Sequence, residues 1–494
     1  MKRNLFSFKP ILGMIISTAA LAGCASSSHD DHELILDPAE LPTVSTGEYG
    51  LVAKEVRDYF AAAVTGTDAT YTTTGALPLD QIEGASEYVW KIWKASVERN
   101  SSERLPVLFS HYQLSAWEDI TTPDASWKLP EGNMDIFYGS KGEKPASGYP
   151  LFLFLHGSGS DAQEEWTACL YCAETFKDGE TAYFLPKSPQ GGTGCRWYQP
   201  SRQQKWEQML RQTLVADNID PEKIYFMGIS EGAYGSQRLA SFYADYLAGA
   251  GPIAGGEQLT SCPPENLANI AFCFQTGELD ESYGRKLLTE KAGALLDELQ
   301  AAHPGYYVHK VDLQPGKGHG CDYTVTTPWL VNYRRNINPK YVYWENFGLG
   351  GINDEEIRYR NSFYNLHIVE PSDDRTDDLY RTTYEMNIEG NVVDLTINNV
   401  TLTPSELATG SGWSMNIGVV KTYTPATTGK IRIYLNNDLV DLSQPITVKV
   451  NGVEKFNGTV TTDTRNLVES CALFFDPFRV FPASIEVSVN ENAI

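Results

Sequence analysis

Residues 225–235 read YFMGISEGAYG and join a β-rich run to a segment with helical spacing. Within this stretch Gly228, Ser230 and Gly232 form the pattern G-x-S-x-G. A serine at a sharp strand-to-helix corner needs strained backbone angles, and glycines on either side let the two backbones approach closely. The N-terminus of the following helix favours developing negative charge. The pattern predicts that Ser230 is a nucleophile, and a glycine-rich turn without chemistry is the alternative.

A nucleophilic serine requires a base, and the base requires a carboxylate that orients it. Of the eight histidines, His156 begins another glycine-rich turn, and among the others only His319 lies in a glycine-rich loop just after a predicted strand, within PGKGHGCDY. The predicted strand IAFCFQTG ends just before Asp280, whose carboxylate we expect to reach that imidazole from the end of the strand. Glu278 and Glu281 are competing choices for this carboxylate. The order Ser230, Asp280, His319 is the order expected for a nucleophile at such a corner.

A glycine-rich turn follows the apolar run LFLFL and begins at His156. The backbone amides of Gly157 and Ser158, together with the amide of Glu231, are predicted to form an oxyanion hole. We expect His156 to be structural, because it follows a different strand and precedes the nucleophile.

The segment GCRWYQPSRQQKW begins at residue 194 and precedes the strand of the nucleophile. Arg196 and Trp197 are predicted to line a sugar or uronate pocket. Ordinary packing of the aromatic residues beneath a loop is the alternative interpretation.

The sequence predicts no metal ion and no cofactor. Cys169 and Cys172 form an isolated C-x-x-C without the second pair or the histidines that a zinc site needs. GGTGCR, which begins at residue 191, lacks the spacing and the Lys-Ser/Thr of a phosphate-binding loop. We expect the cysteines to be structural, with a disulfide possible among them.

The N-terminus has a positive start, a mostly apolar stretch and then Leu21-Ala22-Gly23-Cys24, which resembles a bacterial lipobox. Residues 1–23 are therefore predicted to be a signal peptide, Cys24 a lipid anchor and residues 24–32 a flexible tether. The expected location is the cell envelope, as an outer-membrane lipoprotein on the periplasmic or surface face. An ordinary signal peptide with a chance cysteine is the alternative.

The chain has 494 residues and a net charge of −24, so we expect several domains and no nucleic-acid partner. Residues 33–132 are predicted to be an α+β extension. Residues 133–339 alternate strands and helices, which favours a mostly parallel sheet covered by helices. Residues 340–494 alternate polar and apolar residues around turns such as Asn451-Gly452, which predicts an immunoglobulin-like β-sandwich.

In the segments HGSGS, GISEGAYG, GELDE and GHGCDY the chain resembles the α/β-hydrolase superfamily, over about residues 133–337. These segments are most similar to secreted esterases of the branch that contains feruloyl esterases, polyhydroxybutyrate depolymerases and prolyl-oligopeptidase relatives. With the lipobox and the β-region, the chain resembles lipoprotein carbohydrate esterases of gut polysaccharide-degrading bacteria, including pectin methylesterases of α/β-hydrolase type.

This resemblance implies a serine esterase that removes methyl, acetyl or feruloyl groups from plant polysaccharides such as rhamnogalacturonan. A serine peptidase of prolyl-oligopeptidase type is one alternative, although that family usually carries a large N-terminal propeller, for which the extension is too short. A catalytically inactive glycan-binding lipoprotein is the other alternative.

Overall fold

A computed structural model of the chain describes residues 48–110, 122–192, 196–350, 357–372 and 380–490. The predicted signal peptide, Cys24 and the tether lie outside the described residues. In the described ranges, no helix combines the length and the apolar character needed to cross a membrane.

The helices of the described residues lie in the N-terminal extension, along the faces of the central sheet and, for α8, within the β-region. The α-helices among the described residues are α1 (Ala53–Thr65), α2 (Ile82–Asn100), α3 (Ala162–Thr175), α4 (Pro200–Val215), α5 (Glu231–Tyr243), α6 (Arg285–Ala302), α7 (Thr326–Leu330) and α8 (Thr464–Phe474).

The strands fall into three sheets. Those of the first sheet are β1 (Phe109–Ser110), β2 (Ala125–Leu129), β3 (Gly132–Lys141), β4 (Tyr149–Leu155), β5 (Thr181–Lys187), β6 (Ile219–Ile229), β7 (Gly249–Ile253), β8 (Ala271–Gly277) and β9 (His309–Gln314). Those of the other two sheets are β10 (Tyr341–Asn346), β11 (Ser362–Phe363), β12 (Leu366–Glu370), β13 (Tyr380–Glu389), β14 (Val392–Gly410), β15 (Trp413–Pro425), β16 (Lys430–Leu435), β17 (Ile446–Val450), β18 (Val453–Gly458) and β19 (Ala483–Ser488).

The first sheet has nine strands, in the order β1-β3-β5-β4-β6-β7-β8-β9, with β2 also paired to β3. Strands β4 to β9 are all parallel to one another, and β3 pairs antiparallel with β5. Strand β4 is buried along its whole length, as its continuous apolar run predicts. This mostly parallel sheet with helices is the core of an α/β-hydrolase fold, so the predicted fold class is confirmed.

The boundary predicted after residue 132 needs a correction. Strands β2 and β3 form an antiparallel hairpin, with Trp127 opposite Met134. The hairpin belongs to the nine-stranded sheet, so a cut at residue 132 would separate its two strands. The sheet therefore starts before the predicted catalytic domain does.

The C-terminal β-region contains one sheet of six strands and one of four strands. The predicted turn at Asn451-Gly452 joins β17 to β18, and both residues have positive φ angles, 50° and 77°. Two features depart from an all-antiparallel immunoglobulin-type sandwich: β14 and β17 are parallel, and helix α8 interrupts the strands. The expectation of an all-β region was therefore wrong for residues 464–474.

The β-region is packed against the α/β core through aromatic residues that follow the predicted boundary. Tyr341 stacks on His303 at the end of α6, with ring centroids 4.5 Å apart. Phe347 meets Phe242 of α5 edge to face at 5.7 Å. These contacts place Tyr341 and Phe347 of the β-region directly against the α/β core.

The N-terminal extension contacts the last part of the β-region. The amide of Leu77 donates to the carbonyl oxygen of Thr462 at 3.0 Å, and the amide of Thr464 donates to the carbonyl oxygen of Gly75 at 3.0 Å. Ala76 and Asp463 form an isolated antiparallel bridge between them. Helix α8 packs on α1 and α2. Segments nearly 400 residues apart in sequence therefore form one structural clasp.

Cys195 lies outside the described residues. The cysteines that the structure describes are buried and carry free thiols rather than disulfides. The disulfide considered from sequence is therefore not formed among them.

Candidate active site

Ser230 sits at the corner between β6 and α5 with φ 56° and ψ −113°, a conformation that costs energy for a residue other than glycine. A Cβ atom on Gly228 would lie 2.1 Å from the carbonyl oxygen of Gly232. A Cβ on Gly232 would lie 2.0 Å from the carbonyl oxygen of Leu155. Both glycines of the motif are thus required by close backbone approach, and the Ser230 amide is held by the carbonyl of Ile253 at 2.9 Å.

The three side chains predicted to act together form a continuous chain of hydrogen bonds. His319 Nε2 lies 3.0 Å from Ser230 Oγ, and His319 Nδ1 lies 2.7 Å from Asp280 Oδ2. Because an ionised carboxylate can only accept, Nδ1 carries the proton and Nε2 is left to accept from the serine hydroxyl. The imidazole is 46% exposed, whereas the carboxylate is buried.

The carboxylate that contacts the imidazole is Asp280, not either of the competing glutamates. Its second oxygen, Oδ1, accepts from Arg285 Nη1 at 3.2 Å. Glu278 instead accepts the amide of Gly316 at 2.9 Å, and Glu281 is exposed.

Close backbone contact positions the loops that carry the acid and the imidazole. A Cβ on Gly277, the last residue of β8, would lie 2.1 Å from the carbonyl oxygen of Gly318. The amide of Leu279 donates to the carbonyl oxygen of Lys317 at 2.8 Å. The two loops therefore touch directly, which fixes the distance between the carboxylate and the imidazole.

The turn predicted to supply oxyanion donors lies beside Ser230. A Cβ on Gly157 would be 3.4 Å from the Cβ of Ser230, and Ser158 lines the same cavity as the serine. Glu231 is the first residue of α5, where a helix leaves its backbone amide without an intrahelical partner. The predicted donors thus lie near Ser230 on adjacent elements.

The side chain of His156 holds this turn in place through hydrogen bonds. Its Nε2 accepts the amide of Ser188 at 3.0 Å, so Nδ1 carries the proton and donates to the carbonyl of Gly157 at 2.6 Å. Burial lowers the pKa of His156 to about 4. The side chain is therefore neutral at pH 7, and its contacts are those of a structural residue.

Ser230 opens into a cavity of about 320 Å³. Its walls come from both sides of the serine and from the β-region; they are Ser158, Arg196, Tyr198, Ser230, Glu231, Tyr234, Arg238, Gly256, Glu257, Gln258, Tyr283, Arg285 and Met415.

Arg196 lines the cavity, but its positive charge is already paired with a carboxylate. Its guanidinium forms a salt bridge with the carboxylate of Glu231. Burial raises the pKa of Glu231, and the adjacent Arg196 partly offsets that rise. The guanidinium is therefore already engaged, which argues against the predicted role of Arg196 as a free anchor for a uronate.

The prediction that Trp197 lines the pocket is wrong, because its side chain has no exposed surface. Its Nε1 donates to the carbonyl oxygen of His156 at 3.0 Å, and its ring meets the His156 ring edge to face at 4.8 Å. A Cβ on Gly235 would lie 2.6 Å from the Cβ of Trp197. Trp197 thus supports the oxyanion turn from within the core.

Several residues that line the cavity were not predicted from the sequence, although the spacing of two of them is a signal that the sequence contains. Tyr234 and Arg238 follow Ser230 at spacings of four and eight residues, so they share its face of α5. Arg238 donates twice to Glu257, at 2.7 and 3.0 Å, and its guanidinium lies 4.0 Å from the centroid of the Tyr198 ring. No comparable signal marks Met415, which lies on β15, far away in sequence.

In the part of the chain that the structure describes, no three His, Cys, Asp or Glu side chains group as metal ligands would.

No protein-family model matches the chain. A stretch of 139 residues is 32% identical to poly(3-hydroxyalkanoate) depolymerase C of Paucimonas lemoignei, which corresponds to 25% of this chain and 32% of the relative. The chain thus spans about a third of the length of this curated relative.

Among solved structures, a thermostable esterase has 23% sequence identity and a TM-score of 0.33, covering 43% of this chain and 62% of that one. The S-formylglutathione hydrolase of Staphylococcus aureus has 14% identity and a TM-score of 0.31, covering 42% of this chain and 95% of that one.

Proposed function

We propose that this protein is a serine carboxylic ester hydrolase that removes ester-linked groups from a polysaccharide. The observation that carries the proposal is the hydrogen-bonded series from Ser230 through His319 to Asp280, with the serine on a strained corner. A nucleophile, a base in contact with it and a carboxylate that orients the base are the components of acyl transfer.

In the proposed reaction Ser230 Oγ attacks the ester carbonyl carbon while His319 Nε2 takes the hydroxyl proton. The imidazolium then gives this proton to the departing alcohol, and the acyl group stays on the serine. Water, deprotonated by the same nitrogen, attacks the acyl-enzyme and releases the carboxylic acid and the free serine. Asp280 stabilises the imidazolium in each half of the cycle without being protonated.

The negative oxygen of each tetrahedral intermediate is held by backbone amides of Gly157, Ser158 and Glu231. Their position beside Ser230 supports this assignment. Loss of one such donor typically costs about 10²–10³ in rate.

The substrate proposed is a methyl, acetyl or feruloyl ester on a plant glycan. Support comes from the resemblance of the four motifs and from a cavity lined by tyrosines and by charged side chains in pairs. A polyester is the second candidate, because the curated relative is named as a poly(3-hydroxyalkanoate) depolymerase.

The two remaining alternatives receive less support. A prolyl-oligopeptidase-type enzyme would need a propeller, and the described residues 48–110 contain helices α1 and α2 with one two-residue strand. An inactive glycan-binding protein would have no need for Ser230, His319 and Asp280 in hydrogen-bonding contact.

The test measures hydrolysis of p-nitrophenyl acetate, then product release from acetylated xylan, methyl-esterified pectin, feruloylated arabinoxylan and poly(3-hydroxybutyrate), with an aminoacyl nitroanilide for peptidase activity. We expect Ser230→Ala to abolish turnover. Ser236→Ala, on the same helix with its hydroxyl bonded to the carbonyl of Ala233, should remain active. Release of hydroxybutyrate alone would replace the glycan by a polyester, and turnover of the nitroanilide alone would overturn the esterase assignment.

We further propose that Cys24 carries a lipid anchor that holds the protein at the outer membrane, on its periplasmic or surface face. The proposal rests on the sequence LAGC. Cys24→Ala should move the protein from the membrane fraction to the soluble fraction. Unchanged fractionation of that variant would contradict the anchor.

A further inference from the structure

The long hairpin β14–β15 reaches from the β-region to the catalytic cavity. Its two-residue tip, Ser411-Gly412, lies against the segment that follows Asp280. Between them is a groove of about 700 Å³, called here the tip groove. It is lined by Glu281, Ser282, Tyr283, Gly284, Lys286, Leu287, Glu290, Ala408, Thr409, Gly410, Ser411, Gly412 and Trp413.

Tyr283 connects the tip groove to the cavity of Ser230, because its side chain lines both. It has φ 54° and ψ 24°, a left-handed conformation that is costly for a bulky residue, and its side chain is 57% exposed. Such strain in an exposed aromatic residue is typical of a functional position. The two spaces are thus neighbours, with Tyr283 shared between their walls.

The hairpin tip is held in this place by contacts with the catalytic core. The Trp413 ring packs against Gly284. A Cβ atom on Gly284 would lie 3.1 Å from the nearest atom of that ring. Lys291 of α6 forms a salt bridge with Glu406 of β14 at 2.6 Å. Further along β15, Met415 forms part of the cavity wall itself.

We propose that the tip groove binds a neutral segment of the glycan chain that carries the ester, with Tyr283 and Trp413 as its specificity-determining residues. This inference rests on the proposed esterase function and assigns the β-region a direct part in substrate selection.

The chemistry of the groove favours a glycan over a polyester. Aromatic side chains offer flat faces to the C–H surfaces of sugar rings. The carboxylates of Glu281 and Glu290 accept hydrogen bonds, and sugar hydroxyls supply the donors. A polyester backbone has only acceptor oxygens, so its binding would leave these carboxylates desolvated without a partner.

The charge of the groove favours a neutral glycan over a polyuronate. The charged residues of its lining are two carboxylates, Glu281 and Glu290, and one ammonium group, Lys286. The whole chain also carries a net charge of −24. Free uronates would be repelled at short range by Glu281 and Glu290, whereas acetylated or methyl-esterified sugars would not.

The test measures binding, so that it does not depend on catalysis. The Ser230→Ala protein is run in native gels that contain acetylated xylan, methyl-esterified pectin or polygalacturonate, and is mixed with poly(3-hydroxybutyrate) particles. We expect retardation by the first two glycans only. Adding Trp413→Ala or Tyr283→Ala should weaken that retention at least about tenfold. Leu407→Ala, an exposed side chain of the same hairpin outside the groove lining, should retain it.

A second variant covers the case in which Trp413→Ala disturbs the tip. Thr409→Trp, at an exposed groove position, keeps Trp413 and fills the space, so it should weaken glycan retention too. Retention equal to that of Ser230→Ala in all groove variants would overturn the inference, as would selective binding to polygalacturonate or to polyester particles.

Failure of the inference and failure of the proposed function give different results. If the unmodified protein does not hydrolyse p-nitrophenyl acetate, the esterase assignment fails. If it does, and the groove variants lower kcat/KM equally on acetylated xylan and on p-nitrophenyl acetate, the groove has no role in binding the glycan.

Discussion

Asp245 Oδ2 accepts a hydrogen bond from Arg479 Nη1 at 2.6 Å, across the junction between the α/β core and the β-region. Arg360 donates to the same oxygen at 2.9 Å from Nη2. Burial on its own raises the pKa of Asp245, but the two guanidinium groups hold it at about 2. Beside this group, Tyr246 stacks on Phe475 with ring centroids 4.9 Å apart. The junction therefore combines buried charges with aromatic packing.

Removal of one member of this charged group should destabilise the whole protein. Asp245→Ala leaves the buried guanidinium of Arg360 without its carboxylate and that of Arg479 with Asp476 alone, and loss of one partner of a buried pair typically costs about 3–5 kcal/mol. The free energy of unfolding in urea measures the effect. Asp58→Ala breaks an exposed pair with Lys54 and serves as the control, with an expected loss below about 1 kcal/mol. Equal losses in both variants would show that the junction does not hold the two parts together.

A fragment that ends at the domain boundary should fail to fold well. Residues 33–340 retain Phe242, Tyr246 and His303 but lose the aromatic rings that cover them. Exposed apolar surface of this kind promotes aggregation. The soluble fraction and p-nitrophenyl acetate turnover are compared with those of residues 33–494. A soluble fragment with full turnover would contradict the described packing.

The choice of acid can be tested by conservative substitution. Asp280→Asn keeps the shape but removes the charge beside His319 Nδ1, so we expect a loss of about 10⁴ in kcat. Glu278→Gln and Glu281→Gln are matched controls and should retain most activity on p-nitrophenyl acetate, which has no glycan chain for the tip groove, because neither carboxylate contacts the imidazole. A larger loss in one of these two would move the role of the acid to that residue.

Ser230→Ala and His319→Ala should be strongly non-additive. Each alone is expected to remove nearly all turnover, so the double variant should be hardly slower than either single variant. Single-turnover measurements on p-nitrophenyl acetate with the three proteins provide the comparison. Multiplicative losses would mean that the two residues do not act as a unit.

Because the imidazole of His156 is buried and neutral, we expect the folded protein to lose stability in mild acid. Its folded-state pKa is lowered to about 4, below the unfolded value of about 6.5. Its contribution is therefore fully present above about pH 6.5 and is lost as the pH falls toward 4, by about 3 kcal/mol. The free energy of unfolding of His156→Gln should be lower at pH 7.5, but should fall less between pH 7 and 4.5. Parallel curves for the two proteins would contradict a neutral, buried imidazole.

The sequence was most informative where local pattern and local chemistry coincide. Continuous apolar runs predicted β4 and β8, and the glycines around Ser230 predicted the corner, because each depends on neighbouring residues only. Helix α3 was not predicted, although Asp161 caps it by accepting the amide of Gln163. Helix α8, which lies between strands in the sequence, was not predicted either, although Asp463 caps it in the same way.

Features that depend on distant residues could not be inferred from the sequence. The exposure of Trp197 is decided by the close approach of Gly235 and by the carbonyl of His156, neither of which composition reveals. The pairing of Arg196 with Glu231 depends on a contact 35 residues away. The entry of Met415 into the cavity depends on how far a hairpin of another region extends.

The clasp between residues 75–77 and 462–464 has a consequence for biogenesis. Helices α1 and α2 are synthesised long before α8, which covers part of them. A chain that emerges from a ribosome therefore keeps the α1–α2 surface uncovered until α8 has also emerged. Contacts so distant in sequence also slow folding. A holding chaperone that shields these two helices during synthesis would be expected to raise the yield of folded protein.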